Sequence, residues 1–543
     1  MDPRTTYPQG VLDVWGAGQL LAFSGVDGPT PYAHSLVLRT APTGCGFLVN
    51  LPGEAALQLA DSPPTRTFLS GDVFDLAHSA GRTRGAFVDG CHLLIDGPCD
   101  VRSCDSQIKV ARDGSRTLIG AAAMFDPGRI RADLDATIQE RLRWIKSVPR
   151  PRVEGLWANK TLTKCMSVLK TAVYSPEARI KHRYTTPDRW PHRGMWLWDS
   201  AFHAVGYRHL DPALARDAID AVLDGQHEDG MVQITFIHGT GRVPMTQPPT
   251  LTMAAHFVNQ AQASADWVAA IFPKLARYLE WDMANRDTDG DGLVEWDIEP
   301  KAQCRCGESG WDNSPRFDAA RRLNAVDFNA FLAWECELLA GLARLLGRHD
   351  DAARWSGHHQ RLCRLMNQKL WNEQHGIYMD AFAGTGQQQP MLTGAGFLPL
   401  VCGAPSKEQA RRLAAHLHDP RTFATPLPVA SVPPVEREHY SKDMWRGPVW
   451  VNINWVIARG LARYGLHDEA RLIRDRTLGA IEKYYRQHGA IFEFFDDEDR
   501  VPPPQLLRKQ SNNPNEWIHQ VIHDYSWTAA LYIQMQSEMG GQA

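Results

Sequence analysis

Phe331-Leu-Ala-Trp334-Glu-Cys-Glu-Leu338-Leu-Ala-Gly-Leu342-Ala-Arg-Leu345-Leu-Gly347 shows how most of the chain folds. Apolar residues at 331, 334, 338, 342 and 345 recur at the spacing of one helix face, and Gly347 supplies a stop. The signature returns along the chain. Asp211-Pro212 reads as N-cap and first helical residue, with Leu214, Ala218 and Val222 on one face. Ser406 with Gln409 fits a capping box ahead of Leu413 and Leu417. Pro448 opens a helix that closes at Gly465, and His467 to Tyr485 makes another, ended at Gly489. With segments near 158–175, 251–262, 265–285, 351–371 and 520–537, about eleven helices follow residue 152. Helix pairs joined by loops of variable length predict a toroid. An α-solenoid gives a similar pattern, but the chain has no fixed-period repeat.

Residues 1–125 read as β. Short apolar runs such as Ser35-Leu-Val-Leu-Arg and Cys91-His-Leu-Leu-Ile are broken by Asp27-Gly, Asp89-Gly and Asp96-Gly turns. Many short strands of this kind predict a sandwich-like domain. Residues 126–151 read as a helical linker, helical near Ile130–Val148 and leading through Pro149-Arg-Pro151 into a helical domain at 152–543. The expected role of the β part is a structural lid over the helical mouth.

The chain has 543 residues, a net charge of −4, 43% hydrophobic and 22% charged residues. A chain this long folds without disulfide or metal. The charge balance argues against a nucleic-acid or anionic-membrane binder, and no apolar run reaches the length of a membrane span. Met1-Asp-Pro-Arg-Thr-Thr-Tyr-Pro-Gln-Gly lacks the pattern of a secretory signal, so the expected compartment is the cytoplasm. The ten cysteines have no zinc-like spacing and read as buried or incidental thiols. Of the 18 tryptophans only Trp15 precedes Trp144. Most fill cores. The rest, beside acids and amides, suit sugar rings, whose apolar C–H face stacks on indole.

Six stretches at helix ends carry candidate chemistry. In Trp196-Leu-Trp198-Asp199, the acid is either an N-cap or a grip on sugar hydroxyls beside an indole. Gln226, Asp229 and Gln247 lie in a polar, turn-rich segment that an ordinary loop would match. Asp287, Asp289 and Asp291 alternate with small residues like the start of a calcium loop. Position 12 is Ile298, however, and a tight loop would use the same Asp-Gly pairs. Glu308-Ser-Gly-Trp311-Asp312-Asn313-Ser-Pro-Arg316 crowds an acid between indole and amide. Arg446 and Trp450 flank a helix start, with Asn452 and Asn454 as polar interruptions that need partners. Glu493 sits within Phe492-Glu-Phe494-Phe495, where an acid is either costly or working. Asp312 and Glu493 thus form a pair of carboxylates in aromatic loops, as glycoside hydrolysis requires.

Met195-Trp-Leu-Trp-Asp-Ser-Ala-Phe202, Glu308–Arg316 and Trp445-Arg-Gly-Pro-Val-Trp-Val-Asn452 resemble glycoside hydrolase family 63, across about residues 150–540 and in the family's order. The resemblance implies an (α/α)6 barrel and an inverting mechanism, with Asp312 as general acid and Glu493 as general base. The family usually has Tyr around that Glu, where this chain has Phe. Trp198, Asp199, Gln226, Trp311 and Arg446 match positions expected to line the sugar subsite, and some bacterial members carry calcium in a loop resembling 287–291. No cofactor is required in this reading, a structural calcium aside. The expected activity is cleavage of a terminal α-linked sugar, an α-glucoside foremost, from a small glycoside, with a carbohydrate as the partner. Rival readings are a trehalase-like enzyme and a glucosyl- or mannosylglycerate hydrolase, in which Arg446 or Lys442 would meet the glycerate carboxylate. Others are a silent sugar-binding protein and an epimerase using His203, His227 or His238.

Overall fold

A computed structural model describes residues 12–540, except 302, 514, 515, 517 and 518. The opening decapeptide read above for a leader falls outside the described residues. Strands β1 (Leu20–Ala22), β2 (Val37–Thr40), β3 (Cys45–Leu51), β4 (Ala55–Ala60), β5 (Arg66–Leu69), β6 (Val73–His78), β7 (Gly81–Asp89), β8 (His92–Asp96), β9 (Asp100–Cys104), β10 (Ile108–Asp113) and β11 (Arg116–Ala121) come first. They form two antiparallel sheets, ordered β1-β2-β3-β4-β9 and β10-β11-β8-β7-β6-β5. Leu38, Phe47, Val49 and Leu57 of one sheet share a core with Phe74, Leu76, Leu93 and Ile119 of the other.

Period-two alternation gives the six-stranded sheet a second apolar face. Val73, Ala86, Leu94 and Leu118, each next to a residue of the first core, turn the other way. They join Leu134, Ile138, Leu142 and Ile145 of the helix Leu134–Ser147 in the main core. The helix between the two parts is therefore packed against the sheet.

From residue 156 onward the chain is mainly helical. Helices follow in pairs: Leu197–Tyr207 with Pro212–Asp224, Leu251–Ala261 with Ala265–Asn285, Val326–Leu345 with His349–Lys369, Pro399–Cys402 with Lys407–Ala415, and Val451–Arg463 with His467–His488. The last helix, Ser526–Gly540, packs on Leu156–Thr171. The first members of these pairs and Ser526–Gly540 touch in a closed cycle: 197–207, 251–261, 326–345, 399–402, 451–463, 526–540 and back to 197–207.

Sequence decides which helix lies inside. Every residue from Val326 to Cys336 is buried, whereas His349–Lys369 buries only Ala352, Trp355, Leu362 and Met366. Asp211 and the Ser406/Gln409 box cap their helices as the sequence predicts. The helix expected from Pro448 starts at Val451 instead, because Val449 exchanges backbone hydrogen bonds with Phe495, at 2.8 and 3.1 Å. Among the described residues, no helix is long and apolar enough to cross a membrane.

Candidate active site

The loops entering the inner helices at their N-terminal ends carry the motifs, so the chemistry gathers at one end of the helical layer. Glu493 lies on a short extended segment. Its N–H donates to Ile522 O (3.1 Å), and Phe492 and Phe495 bridge to His523 and Val449. Its carboxylate is buried and accepts from Arg508 Nε (2.9 Å), Arg508 Nη2 (3.3 Å) and Ile522 N (3.3 Å). Arg508 is buried too, 3.3 Å from His192 Nε2, and His192 Nδ1 lies 2.8 Å from Asp188. Burial alone would lower the Arg508 guanidinium, but Glu493, and after it Asp312, hold it above its ordinary value. Both candidate carboxylates therefore act on one cation.

Asp312 is more open, its side chain 20% exposed, and pairs with Lys509 Nζ at 3.1 Å. Its carbonyl accepts from the N–H groups of Arg305 (2.8 Å) and Cys306 (3.1 Å), which fixes the loop. The Cys304 thiol beside it is pushed up to about 12, by burial first and by Asp312 second. A cavity of about 460 Å³ adjoins, lined by Arg305, Asp318, Ser441, Asp443, Arg446, Leu507 and Gln510.

Asp199 is not the N-cap; Trp196 is, and Asp199 lies in the first turn. It is buried and accepts from Tyr525 Oη at 3.2 Å. Burial raises its carboxyl well above the usual range, and Glu493 and Asp188 add to this. Next to Tyr525, the Asp524 carboxylate takes Lys164 Nζ (2.8 Å), Ile491 N (3.2 Å) and Leu20 N (2.9 Å) of β1. The N-terminal sheet thus grips the segments that carry Tyr525 and Glu493.

The indoles pack on one another. Trp445 stacks on Trp450 (3.8 Å) and Trp311 (4.5 Å), with Trp198 6.5 Å away. All four are buried, so they form a floor rather than present open faces. Gly310 lies against Trp198 in the left-handed region (φ +72°), where a Cβ would come within 2.3 Å of the ring. That explains the glycine in Glu308-Ser-Gly310-Trp311. Around the floor, Asn313 Nδ2, Trp311 Nε1, Trp445 Nε1 and both amide atoms of Asn452 are buried without a protein partner.

Each of the remaining candidates has protein partners of its own. Gln247 Oε1 accepts from Trp198 N at 3.2 Å, satisfying an orphan helix N–H. Gln226 spends its amide on Gly230 O, Lys274 O and Arg277. Asp229 is exposed and takes Arg242 at 2.6 Å, which holds its carboxyl below the usual range. Arg446 bonds Asn313 O (3.1 Å) and Asp318 (2.7 Å). Lys442 is enclosed by Asp496, Asp497 and Glu498. Asn454 bonds Val429 N, Pro428 O and Thr477. In the acidic loop, oxygens of Asp287, Asp289 and Glu295 converge within 4.8 Å. Asp291 turns to Lys369 (2.9 Å) and Asn324 (2.9 Å). Asp287 Oδ1 is buried without a partner, while Glu295 already accepts from Thr288, Asp289 N and Arg322.

A sequence profile of the Mannosylglycerate hydrolase MGH1-like glycoside hydrolase domain matches residues 191–528, which contain both candidate carboxylates and Arg508. The chain belongs to this family. It is a glycoside hydrolase of family 63. This hydrolase is 26% identical to the mannosylglycerate hydrolase of Rubrobacter radiotolerans, over 65% of this chain and 92% of that one. It is 24% identical to the glucosylglycerate hydrolase of Mycolicibacterium hassiacum, over 55% and 87%. In fold it is similar to the family-63 mannosylglycerate hydrolase of Thermus thermophilus in complex with glucose. That match has a TM-score of 0.57 and 24% identity, over 69% of this chain and 99% of that one. Neutral trehalase Nth1 of Saccharomyces cerevisiae gives a TM-score of 0.52 at 16% identity, over 70% and 81%.

The sequence of this hydrolase carries no local signal for Arg508, Lys509, His192, Asp188 or Tyr525. Arg508-Lys509 is an ordinary basic dipeptide there, and only the fold brings it to Asp312 and Glu493.

Proposed function

We propose that this hydrolase cleaves an α-linked glycosylglycerate, a mannosyl- or glucosylglycerate, with inversion. The observation that carries the reading is the convergence of Asp312 and Glu493 on Arg508-Lys509, next to a cavity lined by Arg305 and Arg446. Asp312, the more open acid, gives its proton to the departing glycosidic oxygen. Glu493 removes a proton from water on the opposite face of the ring, which requires carboxyl groups about 6.5–9.5 Å apart with substrate bound. Asp199 and the unpartnered amide and indole N–H groups bind sugar hydroxyls. Arg305 and Arg446 face the glycerate carboxylate, a planar anion suited to guanidinium. Lys442, spent on three acids, has no share in it.

The scaffold belongs to the same proposal. The closed cycle of inner helices, each with an outer partner, supports an (α/α)6 barrel, with the sheets of β1–β11 and the helix Leu134–Ser147 packed on it. A calcium ion would be held by Asp287, Asp289 and Glu295, hard oxygen donors that suit it. Its role would be to brace the loop between two helices. A rise in thermal midpoint with calcium, reversed by chelator and absent in Asp287→Asn, tests that.

The test of function is NMR of hydrolysis of mannosylglycerate, glucosylglycerate, trehalose and α-linked glucose disaccharides by wild type and Asp312→Asn. The expected result is release of the β-anomer and glycerate from a glycosylglycerate, lost in the variant. Preferred turnover of trehalose or a neutral disaccharide would replace the reading by one of its rivals. No turnover but calorimetric binding of these sugars would favour a silent sugar binder.

A further inference from the structure

Nine of the ten cysteines have thiols pushed up, burial being the first cause in each. Cys363 is the exception, and it lies on the outer helix His349–Lys369, away from the candidate active site. Its thiol is pulled down to about 6, first by a hydrogen bond with the Cys402 thiol and then by His359. His359 precedes Cys363 by four residues, so one helix face presents both.

The geometry is that of a compact cluster. His359 Nε2 is 2.9 Å from Cys402 O, and Cys363 Sγ is 3.9 Å from the same oxygen. Cys402 Sγ lies 3.3 Å from Pro399 O. Cys363 is half-buried and Cys402 is buried. The charged neighbours are Glu337, which opposes the Cys363 thiolate, and Arg463, on the Cys402 side. A half-buried thiol 3.9 Å from the backbone of a residue whose own thiol is enclosed is the arrangement of an attacking and a resolving cysteine.

We propose that Cys363 and Cys402 are a redox-active pair, modified by an oxidised low-molecular-weight thiol such as glutathione disulfide and closing to an intramolecular disulfide. The Cys363 thiolate attacks one sulfur of RSSR, forming Cys363–S–S–R and expelling RS⁻. Cys402 then attacks Cys363 Sγ. The second RS group leaves with the electron pair and takes the Cys402 proton as RSH. One disulfide is reduced, the protein dithiol is oxidised, and charge and protons balance. The bond would tie the outer helix to Pro399–Cys402, which packs on the inner helices Val326–Leu345 and Val451–Arg463. This inference is independent of the glycosidase reading.

The experiment treats the full chain with glutathione disulfide and maps thiols by peptide mass spectrometry. Expected are a Cys363–Cys402 cross-linked peptide in wild type, reversed by dithiothreitol, and a stable glutathione adduct on Cys363 in Cys402→Ser. Neither species should form in Cys363→Ser, and basal hydrolysis should be unchanged in both variants. Independently of any variant, iodoacetamide at pH 7 should label Cys363 at least about tenfold faster than the exposed Cys104. Labelling led by Cys104, or a wild-type chain that holds glutathione on Cys363 without cross-linking, would overturn the pair.

Discussion

The two ends of the inner helices differ in what they do with charge. The end away from the motifs has the larger cavity, about 680 Å³, lined by Phe257, Trp334, Trp455, Arg459 and Arg463 among others. Its ion pairs are partly solvated: Arg463–Glu337 has side chains 38% and 31% exposed, and Arg459–Glu538 34% and 31%. At the motif end the cavity is smaller, yet Arg508 and Glu493 are each only 3% exposed. Desolvated charge is costly unless it is held for a purpose, so it locates the chemistry better than volume does.

The largest expected effect lies in the carboxylates. Asp312→Asn should lower kcat by about 10²–10⁴, the range of general acid catalysis. Because Asp312 is partly exposed, its thermal midpoint should stay near that of wild type. Glu493→Gln should lose as much activity and also stability, since it takes the carboxylate charge away from the buried Arg508 guanidinium. Hydrolysis rates beside thermal scans of the two variants measure this asymmetry. An Asp312→Asn enzyme that retains wild-type kcat would break the contrast at its stronger end.

Next is the ion pair itself. Arg508→Gln abandons a buried carboxylate, and breaking such a pair costs about 3–5 kcal/mol. Denaturant unfolding should show a loss of that order. A loss below about 1 kcal/mol would put the pair in the class of exposed ones and erase the difference between the ends.

Legibility in the sequence follows the range of the interaction. The Val326–Leu345 helix, the Asp211 and Ser406 caps and the sheet turns are set by residues within a few positions, and they read directly. Asp312 and Glu493 were visible because an acid among aromatics is unusual locally. Arg508, Lys509 and His192 were not, because their meaning depends on partners far along the chain. The indoles mislead in the other direction. Trp198, Trp311 and Trp450 suggest open platforms, but the fold closes them on one another through Trp445. In the acidic loop the period-two pattern suggests Asp291, while the strand register at Glu295 turns that carboxylate inward instead.

A smaller effect is expected at Glu335, on the inner helix. Its carboxylate accepts from the N–H groups of Thr252 (2.7 Å) and Met253 (2.6 Å) at the start of Leu251–Ala261. Burial pushes it from 4.5 up to about 7, against the pull of those donors. A carboxyl raised in the folded state favours the protonated native form. Its stabilisation is therefore complete below pH 4.5 and lost as pH rises through about 7. The urea midpoint of wild type should fall between pH 5 and 8 more than that of Glu335→Gln. Equal slopes would remove this group from the pH dependence.

The smallest effect is expected at the far end. Arg463→Ala removes a bidentate pair with Glu337, at 2.7 Å to each oxygen, and a bond to Val401 O. Solvent screens the pair, so its contribution is about 0–1 kcal/mol. The helix that carries Arg463 begins beside Trp450, so the substitution also asks whether the far end communicates with the site. Packing along that helix is unchanged by the loss of a rim guanidinium, and kcat/KM should stay within about twofold of wild type. A tenfold fall in kcat/KM with an unchanged thermal midpoint would mean that charge at the far cavity is coupled to the catalytic end. The two ends would then be parts of one device rather than a working face and a structural one.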